Sequence, residues 1–188
     1  CATGRFYRRN GLFKRRGDPA GWRAADALKR NTHMWQGKLL SIHTAPKSRA
    51  DMIEHDSAQL IAGVGIQGDR YAKGIDAGTY SAHPDVRDVT LIEVETIEAL
   101  ARDHQVALAH GLHRRNLTTR NVPLNHLVGR RFYVGDVLLE GGRLNYPCRY
   151  IDMITKLTIC DLLEHRSGLN CRIIDGGMVH TGDLIRLA

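Results

Sequence analysis

The stretch Gly142-Arg143-Leu144-Asn145-Tyr146-Pro147-Cys148-Arg149 reads as the end of a β-strand that delivers a cysteine. Proline has no amide hydrogen and fixes its own φ, so Pro147 should end a strand running through Arg143–Tyr146 and present Cys148 at its exposed tip. Arg143 and Arg149 flank the thiol. Nearby positive charge favours the thiolate, the form that attacks electrophiles and binds metals. Read alone, the stretch is equally compatible with a buried structural cysteine, the usual fate of a free thiol.

On either side the chain is punctuated into short segments rich in Val, Ile and Leu: residues 38–45, 87–92, 131–134, 137–139, 171–174 and 184–187. Glycine, asparagine or aspartate bounds them, as expected of strands. Residues 93–104 differ, with Val94, Ile97, Leu100 and Ala101 at helical spacing and acidic residues in the first turn, where they favour the helix dipole. Two more helices are predicted over residues 150–156 and 158–165, with Ile154, Leu157, Ile159, Leu162 and Leu163 as core. Many short strands and few helices give a β-dominated α+β domain, and glycine turns between them predict a closed barrel without exposed edges. Residues 73–86, with Gly74, Gly78 and Pro84, read as one long loop, of the kind that covers a site or is disordered.

A chain of 188 residues suits one domain that buries about 70% of its unfolded surface. Its formal charge of +7 is unevenly placed. Residues 1–36 hold nine Lys or Arg against Asp18 and Asp26, and residues 37–188 hold eighteen charges of each sign. The predicted domain, residues 34–188, is therefore close to neutral, and its anion sites must come from local clusters. Residues 1–33 read as a basic arm or an extension added in expression, with Met34 as a candidate natural start; an RNA-binding arm or an organelle presequence is the functional alternative. They contain no apolar run long enough for a signal-peptide core or a membrane span. Cys1, Cys148, Cys160 and Cys171 form no C-x-x-C pair and no regular framework, which argues against a zinc ribbon or a disulfide scaffold and fits a reducing cytoplasm. His110 and His113 lack the further ligands that zinc requires.

Other clusters carry chemistry. Residues 63–70, Gly-Val-Gly-Ile-Gln-Gly-Asp-Arg, contain G-x-G-x-x-G, but a dinucleotide site needs a helix after the glycines, and Gly74 and Gly78 interrupt one. They read as a tight turn, with Asp69 and Arg70 orienting it or reaching an anion. Strand alternation through residues 114–119 sends Arg114, Asn116 and Thr118 to one face and Arg115 with Leu117 to the other. The first set suits a phosphate or a polar heterocycle edge; a solvated surface strand is the structural alternative. His165-Arg166-Ser167-Gly168 marks a helix C-terminus, with Arg166 a possible second anion contact.

In order and spacing, several blocks resemble the MOSC family, named for the C-terminal domain of molybdenum-cofactor sulfurases. They are residues 65–70 (G-I-Q-G-D-R), 89–93 (V-T-L-I-E) and 114–117 (R-R-N-L), then R-x-x-x-P-C-x-Y from Arg143, T-K-L at 155–157, L-E-H-R-S-G-L at 163–169, D-G-G at 175–177 and T-G-D at 181–183. The resemblance covers roughly residues 37–188 and implies a MOSC-type β-barrel with a few short helices. It implies a molybdenum-molybdopterin cofactor with Cys148 as metal ligand and catalytic centre. Arg114, Asn116, Arg143 and Asp69 would be cofactor contacts, with Arg166 and, on a looser match after Pro46, Lys47 beside them. Related members reduce N-hydroxylated compounds, so the resemblance implies an oxidoreductase acting on a small molecule with electrons from a separate protein. In sulfurase-fused members the domain instead serves sulfur transfer from a pyridoxal-phosphate (PLP) domain, for which this chain has no room. The alternative function is therefore a carrier holding a persulfide from a sulfur donor on Cys148. No flavin or iron–sulfur motif is visible, and neither a membrane nor a nucleic-acid partner is expected of the domain. Asn145-Tyr146 departs from the small or acidic residues that many relatives place before the Pro-Cys pair.

Overall fold

Short strands with alternating burial bend the main sheet of this protein until its two edges meet. The structure is a computed structural model and describes residues 35–73, 87–109 and 111–188. Strands β1 (Gly37–Thr44), β5 (Val89–Glu93), β6 (Leu117–Arg120), β7 (Arg131–Val134), β8 (Val137–Leu144), β9 (Leu169–Asp175) and β11 (Leu184–Leu187) form the barrel. Their spatial order is β11-β7-β8-β9-β5-β6-β1, and β1 pairs again with β11 through Gly37 opposite Ile185. Closure removes the free edges that an open sheet would expose. β2 (Ile53–His55) pairs with β1 beside the barrel, and β3 (Ser57–Ile61), β4 (Gly65–Ile66) and β10 (Gly177–His180) make a separate three-stranded sheet.

Among the barrel pairings only β5 and β6 run parallel, as a strand–helix–strand crossover demands. The crossover is α1 (Val94–His104), which the 3.6-residue pattern placed to within one residue. Gln105, in a left-handed conformation, ends it. Inside the barrel the alternating residues Leu39, Leu91, Leu117, Phe132, Leu139, Leu169, Cys171 and Ile185 are fully buried. A second, smaller core lies outside it, where Leu100 of α1 packs with Ile151, Ile159, Cys160 and Leu163. Ile151 belongs to α2 (Tyr150–Thr155), so this core anchors the segment that follows Cys148. No described helix is long and apolar enough to cross a membrane.

Three expectations need correction. The strand read over residues 143–146 is the last part of one strand that starts at Val137 and stops at Leu144. Gly141 and Gly142 do not break it: a Cβ on Gly141 would collide with the Leu127 carbonyl, and the register shift between Gly141 and Arg143 leaves Gly142 as a bulge. The helix read over residues 158–165 is a single 3-10 turn, Asp161–Leu163, because the Asp152 carboxylate accepts the amides of Ile159 and Cys160, both at 2.8 Å, and so caps the turn instead. Leu157, read as core, is 37% exposed. The strands β2, β3 and β10 carry too few apolar residues for their pattern to stand out. The G-x-G-x-x-G segment forms the β3–β4 turn and leads into a 3-10 turn at Arg70–Lys73, with Gly63, Gly65 and Gly68 at positive φ. The basic arm at residues 1–33, Met34, His110 and residues 74–86 of the long loop lie outside the described residues.

Candidate functional site: an arginine-lined cleft beside Cys148

At the end of the barrel where β8 runs out toward Cys148, the chain encloses a cleft of ≈ 400 Å³. Among the described residues six arginines line it, Arg49, Arg70, Arg87, Arg114, Arg115 and Arg143, and no carboxylate does. Six guanidinium groups gathered around one cleft make it strongly cationic, which suits an anion.

The bulge at Gly142 sets one wall. Along β8, Val137, Leu139 and Gly141 face inward; after the extra residue Leu144 packs on the barrel core and Arg143 turns to the cleft. Arg143 donates to the Leu144 carbonyl at 2.9 Å and lies 5.4 Å over the Tyr146 ring. Asn145 is tied to β9, its Nδ2 donating to Asn170 Oδ1 at 2.6 Å and its amide to the Gly168 carbonyl at 2.7 Å. Pro147 and Cys148 follow, with the Cys148 carbonyl accepting the Ile151 amide at 2.8 Å to start α2. The thiol of Cys148 is exposed at the mouth, whereas Cys160 and Cys171 are buried, and burial pushes both of their thiols up. Arg149, the other flanking cation, turns away to Asp152 at 3.1 Å and Asp161 at 2.8 Å and does not line the cleft.

Opposite lies the Arg114-Arg115 turn. Alternation does not apply to it, because β6 begins only at Leu117 and Arg114 has a left-handed φ of 62°. Both arginines therefore reach the cleft. Arg114 donates to the Ala50 carbonyl at 2.6 Å. Arg115, assigned by alternation to the far face, is tied down at the cleft: its guanidinium bonds Ser167 and the His113 carbonyl, and burial pushes it down to about 10. Arg70 and Arg87 complete the set around the Tyr71 ring, at 4.3 and 5.7 Å from its centre. Arg70 is 8% exposed, and its Nη1 has no hydrogen-bond partner among the described residues.

Of the other expected contacts, Asn116 and Asp69 stand behind the cleft. Asn116 accepts from the Thr90 amide and hydroxyl at 3.1 and 2.8 Å and donates to the His43 carbonyl at 3.1 Å. Asp69 accepts the amides of Ala45 at 2.9 Å and Tyr71 at 3.0 Å. Both side chains are spent on backbone and hold the walls in place; neither lines the cavity. Lys47 is exposed on the loop whose next residues, Ser48 and Arg49, do line it. Arg166 is exposed and does not line the cleft, so the His-Arg-Ser-Gly segment reaches the site through Ser167 instead. Arg87, Arg115, Tyr71 and Asn170 are lining residues that no motif singled out. The run of two arginines was the available signal for Arg115, had a turn been read there.

The MOSC domain family model matches residues 79–186. Among solved structures, the YuaD protein from Bacillus subtilis superposes with a TM-score of 0.64 at 18% identity, over 81% of this chain and 97% of that one. YiiM from Geobacillus stearothermophilus gives 0.62 at 16% identity, over 81% and 75% of the two chains, and YiiM from Escherichia coli 0.57 at 18%, over 82% and 69%. These likenesses establish the barrel fold. No curated protein matches the sequence. With the family pattern running through more than half of its length and the barrel shared with these structures, the chain belongs to the MOSC domain family.

Proposed function

We propose that the cleft holds a molybdenum-molybdopterin cofactor with Cys148 as the metal ligand, and that the protein reduces small N-hydroxylated compounds. MOSC domains are associated with molybdenum-cofactor binding. The residues present fit such a group: a buried Arg70 nitrogen, unpaired among the described residues, belongs to a cleft lined by six arginines, with an exposed thiol at its mouth. That arginine set is the observation that carries the reading.

Arg70, Arg87, Arg114 and Arg115 would hold the phosphate through charge-assisted hydrogen bonds, and Cys148 would offer its thiolate to the metal. When bound, the cofactor supplies the two-electron chemistry that the side chains lack. The overall change takes R–NH–OH, two electrons and two protons to R–NH2 and water, with the electrons delivered by a separate electron-transfer protein. Ser167 and the His113 carbonyl fix Arg115, and Asn145 fixes the approach to Cys148, so the site is oriented before anything enters it. A cleft of ≈ 400 Å³ suits a small molecule rather than a nucleic acid or a membrane surface. The unpaired buried thiols of Cys160 and Cys171 favour a cytoplasmic setting.

The exposure of Cys148 favours a second reading, a carrier that accepts sulfur from a donor as a persulfide and performs no turnover. Molybdenum and pterin content separates the two, measured on protein from a cofactor-competent host for the parent and Cys148→Ala. Near-stoichiometric metal and pterin in the parent, with the metal lost in the variant, is the expected result. A folded parent without either would refute the cofactor reading, and a persulfide at Cys148 would then support the carrier.

A further inference from the structure

Asn170 sits on β9 between Leu169 and Cys171, both fully buried in the barrel, so its own side chain points to the opposite face, into the cleft. Its strand neighbours are Arg143 on β8 and Thr90 on β5, and both of these also line the cleft. The residue is 1% exposed. Its Oδ1 accepts from Asn145 Nδ2 at 2.6 Å, which fixes the amide plane and leaves Nδ2 as the remaining donor. That Nδ2 is buried and has no hydrogen-bond partner among the described residues.

A buried amide donor left unpaired costs folding free energy, and such groups are few in native proteins. The bond from Asn145 enforces the cost by preventing the amide from turning over to use its other end. The arginines opposite offer charge, which selects an anion; Asn170 offers a neutral donor, which suits an uncharged nitrogen or oxygen acceptor. Asn145 lies three residues before Cys148, so a molecule held by Asn170 lies beside the thiol-bearing loop.

Resting on the function proposed above, we infer that Asn170 is a specificity-determining residue. Its Nδ2 donates a hydrogen bond to a neutral acceptor atom of the compound bound beside Cys148, and the arginines serve the cofactor. A site with a fixed donor discriminates against analogues that cannot accept from it, because the donor is then left unpaired.

Asn170→Ala tests this, since it removes the donor without adding a charge among the arginines. The holoprotein is titrated calorimetrically with an aromatic amidoxime in the absence of an electron donor, and molybdenum and pterin are assayed on the same samples. The expected result is unchanged metal and pterin with affinity for the amidoxime weakened about tenfold, the scale of one lost hydrogen bond in a closed site. Should the alanine variant fail to fold, Asn170→Leu, which fills a similar volume and is also uncharged, reads the same loss. Unchanged amidoxime affinity would overturn the assignment, and so would loss of molybdenum and pterin, which would give the donor to the cofactor. A parent that carries neither metal nor pterin would instead overturn the proposed function, and this inference with it.

Discussion

Arg115 grips Ser167 twice, Nε donating to its carbonyl at 2.8 Å and Nη2 to its hydroxyl at 2.5 Å. The grip joins the β6 side of the cleft to the start of β9 and holds a cation where burial disfavours one. Burial dominates the shift of the guanidinium down to about 10; Tyr71 and Cys148 oppose it, and Arg87 and Arg70 add to it. The site stays cationic at neutral pH because an arginine starts from so high a value.

Arg115→Lys should therefore make anion binding depend on mildly alkaline pH. A lysine starts about two units lower than an arginine, and the same burial pushes it further down, toward neutral. Sulfate, whose own charge is constant in this range, should bind the variant progressively more weakly between about pH 7 and 9, while the parent's affinity holds. Stability moves the other way. The folded variant releases its proton at lower pH than the unfolded chain, so unfolding takes up a proton and stability rises with pH between about 8 and 10. Titration calorimetry and urea unfolding at the two ends of the range read both slopes. A sulfate affinity as flat in the variant as in the parent would refute the burial of this group.

Gly168, next along from Ser167, makes a packing prediction. Its φ is 104°, and a Cβ would run into the Leu91 carbonyl of β5. Gly168→Ala should cost at least about 2 kcal/mol, from strain together with displaced backbone. Gly182 has a similar φ of 96° with nothing near its Cβ position, so Gly182→Ala isolates the conformational part and should cost about 1 kcal/mol. Equal urea midpoints for the two variants would exclude the clash with β5.

The barrel and α1 were legible in the sequence because alternation and helical periodicity are local and are repeated over several residues. β2, at three residues, and β4, at two, are too short to show a period, and the turn at Asp161–Leu163 depends on a carboxylate from another segment. The site was legible by composition more than by position. Cys148 and Arg143 could be placed because Pro147 follows a strand end; Arg115 was sent to the face opposite Arg114, although both reach the cleft, because alternation was extended three residues beyond the strand. Asn116 and Asp69 carry chemically suitable side chains, but what they bond is decided by strands brought together from distant parts of the chain, with Thr90, His43, Ala45 and Tyr71 as partners.

Asn116 should consequently behave as a structural residue. Asn116→Ala strips the acceptor from Thr90 and the donor from the His43 carbonyl in a fully buried setting, which should cost about 2–4 kcal/mol. Sulfate affinity, measured well below the melting temperature, should change less than about threefold, since the side chain does not line the cavity. A large loss of sulfate binding in a variant of near-parental stability would place Asn116 among the ligand contacts instead.

Arg70→Met should give the converse. The arginine is buried, its Nη1 has no partner among the described residues, and it lies among like charges, so the folded chain bears a desolvation cost with little return apart from the contact with Tyr71. Methionine fills a similar volume, keeps an apolar contact with the Tyr71 ring and removes the charge. The variant should unfold at an equal or higher urea concentration than the parent while binding sulfate about tenfold more weakly, as loss of a charge-assisted hydrogen bond implies. A gain in stability with a loss of binding identifies a residue retained for a ligand, because nothing in folding alone would keep it. A destabilised Arg70→Met that binds sulfate like the parent would show instead that Arg70 serves the fold through Tyr71.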